Sequence, residues 1–225
     1  MSFGNQHIRA GATAAKTVTI KNAGNAPLSF TGAGIALTGG NKNQFRITNS
    51  LTTTPLSAGA SRAVNVAFDP TTTGPKTANL TITTDDTTRP TVNVQLNGTG
   101  IAQQISVSPM LLSFGDWPIN AGATEAKTVT IQNVGSAPLS FTGRGIALTG
   151  SAAKEFRITN KPTTTTLTVG ASRPVLIVFD PDREGLRTTS LIITTDDPTR
   201  PTVNVSLTGS GSGPTATGKT WRSYE

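Results

Sequence analysis

The chain repeats itself. Residues 2–100 and 113–211 align without a gap at a constant offset of 111 (113 − 2), and 64 of the 99 aligned pairs are identical. The shared blocks include SFG, AGAT, KTVTI, APLSFTG, GIALTG, FRITN, GASR, FDP, TTDD and TRPTVNV. A period this long belongs to a whole domain and not to a solenoid unit, so two tandem copies of one fold are expected. The boundaries read as 1–100 for copy 1, 101–212 for copy 2 and 213–225 for a flexible or docking tail.

Within each copy the apolar residues alternate. KTVTI sets Val18 and Ile20 on one face, and Val64, Val66 and Phe68 share another; Leu80 with Ile82, then Val92, Val94 and Leu96, follow the same rule. The second copy repeats it with Val129, Ile131, Val175, Ile177 and Phe179. Period two, broken by Gly, Pro, Asn and Asp, describes half-buried strands, and no stretch carries a 3.6-residue period. About seven short strands per hundred residues predicts an all-β fold: two tandem immunoglobulin-like antiparallel β-sandwiches. The eight Phe residues form four matched pairs, Phe3/Phe114, Phe30/Phe141, Phe45/Phe156 and Phe68/Phe179, and are expected to plug the cores.

Composition narrows the chemistry. With no Cys and one His, the chain has no disulfide framework, thiolate metal site or cysteine nucleophile, and little material for a histidine base. His7 aligns with Pro118, so the fold does not require it; no enzyme activity and no cofactor are expected. No apolar run reaches the roughly 20 residues of a membrane span, and no signal-peptide core follows Met1.

The strings LSFGDWPINAGATEAKTVTIQNVGSAPLSF, FRITN, GASRPVLIVFDP and LIITTDDPTRPTVNVSLTGSG resemble the ASH/Hydin-like immunoglobulin-type domains, which in bacteria are common in choice-of-anchor D proteins. The resemblance runs from Ser2 to Gly211. It implies a sandwich of seven or eight strands that serves as a spacer or interaction module, and it brings no catalytic residues. Arg62 and Arg173 depart from it, standing where many bacterial members have Cys.

The copies differ at their edges. Residues 101–112, IAQQISVSPMLL, alternate as a first strand should, whereas copy 1 opens at Met1 directly before SFG. The first copy therefore reads as lacking its N-terminal strand. Either the chain is part of a longer array, or a neighbouring chain fills the slot. In the tail, residues 213–220 match the phosphate-loop pattern G-x-x-x-x-G-K-[ST], but only five residues follow, too few for the helix that such a loop needs. Chance is the preferred reading.

Three aromatics have no repeat partner: Trp117, expected to pack at the junction of the copies, and Trp221 and Tyr224, which flank Arg222 as docking anchors would. Copy 2 also carries Leu176, Val178 and Ile192 where copy 1 has Asn65, Ala67 and Thr81. These outward positions suggest a contact face. The doublets Asp85-Asp86 and Asp196-Asp197 are weak calcium candidates, with turn formation preferred. Repeated cations such as Lys16/Lys127, Arg46/Arg157, Arg62/Arg173 and Arg89/Arg200 are expected to pair with repeated acids such as Asp69/Asp180. Copy 1 holds eight Lys/Arg against three acids, enough for weak attraction to an anionic polysaccharide. The basic residues are dispersed, so sequence-specific nucleic-acid binding is not expected.

The expected role is a non-enzymatic structural or interaction module, a spacer or adhesion part of an extracellular or cell-surface bacterial protein. Its partner is another protein or itself. The alternative is a virion decoration or filament subunit that assembles by strand exchange at the incomplete edge of copy 1.

Overall fold

The computed structural model describes residues 1–160, 162 and 165–213. They divide into two compact units, the first ending at Ala102 and the second starting at Gln103. Copy 1 contains β1 (Ser2–His7), β2 (Lys16–Lys21), β3 (Phe30–Thr38), β4 (Phe45–Ile47), β5 (Ser61–Phe68), β6 (Gly74–Thr84) and β7 (Thr91–Ile101). One sheet has the order β1-β7-β6-β3 and the facing sheet β2-β5-β4. Copy 2 contains β8 (Ile105–Ser108), β9 (Leu111–Pro118), β10 (Lys127–Asn133), β11 (Phe141–Thr149), β12 (Phe156–Ile158), β13 (Ser172–Phe179), β14 (Gly185–Thr195) and β15 (Thr202–Ser212). Its sheets run β11-β14-β15-β9 and β12-β13-β10-β8. The tandem all-β sandwiches read from the repeat are therefore present.

Two details correct the expectation. The sheets are not antiparallel throughout: β1 pairs with β7, and β9 with β15, in parallel. Seven strands joined by six reversals leave the first and last pointing the same way, and here those two lie side by side. The opening of copy 2 is also not one strand over 101–112. Ile101 ends β7, β8 then bonds to β10 in one sheet, and after Pro109 the chain crosses over so that β9 bonds to β15 in the other.

Alternation works as expected at the core. In β5 and β13 the inward Val64, Val66 and Phe68, and Val175, Ile177 and Phe179, are all buried. Three of the four Phe pairs form one ring cluster per copy. Phe3, Phe45 and Phe68 have centroids 4.9–6.1 Å apart, and Phe114, Phe156 and Phe179 repeat it at 4.7–5.9 Å. The rings lie so close to β7 and β15 that a Cβ on Gly98 would stand 2.6 Å from the Phe68 ring, and one on Gly209 2.5 Å from Phe179. Only glycine fits there. Phe30 and Phe141 are the exception, only partly buried at the start of β3 and β11. There the ladder breaks between Phe30 and Ile35, and Gly32 and Gly34 take left-handed φ of 55° and 63° that a bulge requires.

Candidate functional site

The repeated cations are spent on carbonyls and rings more than on acids. Lys16 Nζ donates to the Ser2 carbonyl at 2.7 Å and lies 5.7 Å from the Phe3 ring centre. Lys127 does the same with Ser113 and Phe114 at 2.5 and 5.5 Å. The Arg62 and Arg173 guanidinium groups cover Phe30 and Phe141 at 4.6 and 4.9 Å and donate to the Thr54 and Thr165 carbonyls. Each therefore closes the half-exposed ring that the bulge leaves. Of the expected ion pairs only Arg46–Asp69 forms among the described residues, at 4.0 Å and well exposed. Such a contact adds little.

One buried ion pair escaped the sequence reading. Arg187 Nε lies 3.2 Å from Glu155 Oε2 with both side chains largely buried, although the two atoms are not aligned as a hydrogen bond. Copy 1 has Lys76 and Gln44 at these positions. Lys76 Nζ donates to the Thr73 carbonyl, as Arg187 does to Glu184, while Gln44 bonds Thr71. The signal was the paired exchange of Gln44/Lys76 for Glu155/Arg187 between the copies.

The acidic doublets serve as backbone acceptors. Asp85 and Asp196 accept the Ser29 and Ser140 amides at 2.9 and 2.8 Å. Asp86 Oδ1 accepts the amide and hydroxyl of Thr88 at 2.8 and 2.6 Å, and Asp197 Oδ1 those of Thr199 at 2.7 Å each. These are the turn roles preferred for Asp. Among the described residues no group of three or more His, Cys, Asp or Glu gathers to hold a metal ion. The Thr88 hydroxyl and amide hold the Asp86 carboxyl below its ordinary pKa. At Asp197 burial pushes upward, but the amides of Ile105, Thr199 and Arg200 with the Thr199 hydroxyl outweigh it and keep the group low.

Trp117 is half-buried against the core of its own copy, and its indole N–H donates to the Gly122 carbonyl at 2.7 Å. In copy 1, Gln6 donates to the Gly11 carbonyl at 2.8 Å, so the two unlike side chains lock the same turn. Leu176 and Val178 lie on β13, and Ile192 on β14 in the facing sheet. Their outward positions therefore belong to opposite faces of the sandwich and form no single patch, and Val178 is itself buried. Trp221, Arg222, Tyr224 and the phosphate-loop match beyond Gly213 lie outside the described residues.

The copies diverge most along one edge. In copy 2, β8 covers β10 with Val107 opposite Ile131 and Ile105 opposite Asn133. The Ile105 amide donates to Asp197 Oδ2 at 2.8 Å, and the Val134 amide to the Gln104 carbonyl at 2.9 Å. Under this cover Val129, Ile131, Ala137, Leu139 and Val205 have no exposure, and Val203 has 2%. Among the described residues β2 pairs on one side only. Val92, the counterpart of Val203, is 41% exposed, and Val18, Leu28 and Val94 are half-buried. These residues line a groove of about 300 Å³ that Asp86 borders. Every hydrogen bond to Asp86 falls on Oδ1, so Oδ2, like the Ala23 amide, has no partner among the described residues.

A family model described as "HYDIN/CFA65/VesB-like, Ig-like domain" matches residues 2–99 and 103–210. No curated protein matches the chain. Among solved structures, a Porphyromonas gingivalis protein of unknown function is 16% identical with a TM-score of 0.40, over 86% of this chain and 90% of that one. The secreted serine protease VesC of Vibrio cholerae is 16% identical with a TM-score of 0.35, over 80% of this chain and 45% of that one. Cadherin domains 1–5 of protocadherin gamma B2 are 11% identical with a TM-score of 0.52, over 94% of this chain and 38% of that one.

Proposed function

Both copies belong to the HYDIN/CFA65/VesB-like Ig-like family, and from that premise we propose that the chain is a non-enzymatic structural and interaction module, a spacer or adhesion part of a bacterial surface protein. The observation that carries this reading is where the repeated polar residues go. Lys16, Arg62, Asp85, Asp86 and their counterparts each bind a carbonyl, an amide or a ring of their own copy. They are engaged in holding a sandwich together, which fits a role in spacing and contact. The basic balance of copy 1 adds weak attraction to anionic polysaccharide. Protease shaving of intact host cells tests the assignment: loss of both copies from the cell supports it, and full protection until lysis overturns it.

A second reading has its own support in the edge of β2. Copy 1 is a sandwich lacking its N-terminal strand, and the chain is an assembly subunit, of a virion or a filament, completed by strand exchange there. Electron microscopy of the natural assembly tests it, and particles or filaments without this chain would remove it.

A further inference from the structure

The groove beside β2 has an internal template for its occupant, because copy 2 shows the same surface filled. There Ile105 and Val107 reach the core, Ser106 and Ser108 alternate with them, and two further bonds pin the start of the strand, one from the Ile105 amide to Asp197 Oδ2 and one from the Val134 amide to the Gln104 carbonyl. Copy 1 presents the same groups unengaged: Asp86 Oδ2, the Ala23 amide and the outer edge of β2. It also has an apolar floor of Val18, Leu28, Val92 and Val94. An unpaired strand edge above exposed apolar side chains is a template for another strand.

We propose that copy 1 is the acceptor for an extended strand of a partner polypeptide, whose chemistry is that of Gln104–Ser108. The strand runs antiparallel to β2. It places one β-branched apolar residue opposite Asn22 and a second opposite Ile20, with small polar residues between them. The amide of the first apolar residue donates to Asp86 Oδ2, and the carbonyl before it accepts from Ala23. The occupant is a partner polypeptide and not β8 of a second copy of this chain, because β8 is already seated in copy 2. The proposal rests on the second reading above for the open edge, but does not require a virion or filament.

The probe is a synthetic peptide with the sequence of residues 102–110, AQQISVSPM, titrated into the isotope-labelled full chain and followed by NMR. Amide shifts confined to residues 18–28 and 82–94 are expected, with saturation below about 1 mM. Replacing the peptide's Ile or Val by Asp is expected to weaken binding at least about tenfold, as is Val92→Asp or Asp86→Ala in the protein. Val92 is already exposed, and unchanged amide shifts for the copy 1 core strands away from the groove will verify that these variants fold. Three results would each overturn the proposal: no shifts at about 1 mM, shifts confined to residues 129–139, or binding indifferent to the Asp substitutions. Dimerisation of the chain alone that Val92→Asp abolishes would replace the separate partner with a second copy. None of these outcomes bears on the shaving test of the spacer reading.

Discussion

At Gly209 the Phe179 ring occupies the space where a side chain would begin, and the same holds for Gly98 under Phe68. Gly209→Ala must push a fully buried ring, which costs about 2 kcal/mol of overpacking. The melting temperature of copy 2 is expected to fall by roughly 10 °C, measurable by calorimetry. Glu155→Gln removes one side of a largely buried ion pair and leaves the Arg187 charge behind. A loss of about 2 kcal/mol is expected, somewhat below the fully buried case because Arg187 retains some exposure. Adding Arg187→Lys rebuilds the Gln44/Lys76 arrangement and should recover most of that loss in a double-mutant cycle. Asp197 makes stability depend on pH. Its folded pKa lies below the unfolded value near 3.9, so its stabilisation is present above about pH 4 and fades as pH falls through the folded value. Asp197→Asn is expected to flatten the acid limb of the copy 2 unfolding curve between about pH 4 and 2.

Among the elements, β2 and β10 share the sequence KTVTI but differ in cover. The β10 amides bond on both edges, whereas those on the outer edge of β2 face solvent. Hydrogen exchange at Thr19 and Lys21 is therefore expected to run at least about tenfold faster than at Thr130 and Gln132. Equal protection would show that the edge is already covered. The strands themselves were legible in the sequence because each buries alternate residues, and alternation is a local pattern. Phe68 was legible as core for the same reason, and Phe45 because the second copy repeats it as Phe156. What sequence reasoning could not reach are contacts whose partner lies far along the chain and is backbone. Asp197 reads as a turn residue, and nothing near it announces the Ile105 amide. Phe30 and Phe141 look like core, yet the glycines that follow them bend the strand, and an Arg supplies the lid. Trp117 looks distinctive only until Gln6 is seen making the same bond to its own turn.

For the whole molecule, two copies with 64 of 99 residues in common are expected to differ in stability. Copy 2 fully buries Leu139 and Val205 in a core that β8 covers, whereas their counterparts Leu28 and Val94 are only half-buried, and burying such a side chain completely contributes about 1.5–3 kcal/mol relative to leaving it exposed. Calorimetry of the full chain should show two transitions. Copy 1 melts first, and Glu155→Gln moves only the later one. A single transition that shifts as a unit would mean that the copies unfold together. The parallel pairing of the first and last strands, β1 with β7 and β9 with β15, has a mechanical consequence. Tension along the chain pulls the two strands of each pair in opposite directions along their own length. The hydrogen bonds between them are then loaded in shear and must yield together, instead of unzipping one after another. A tandem held this way would keep its length under pulling.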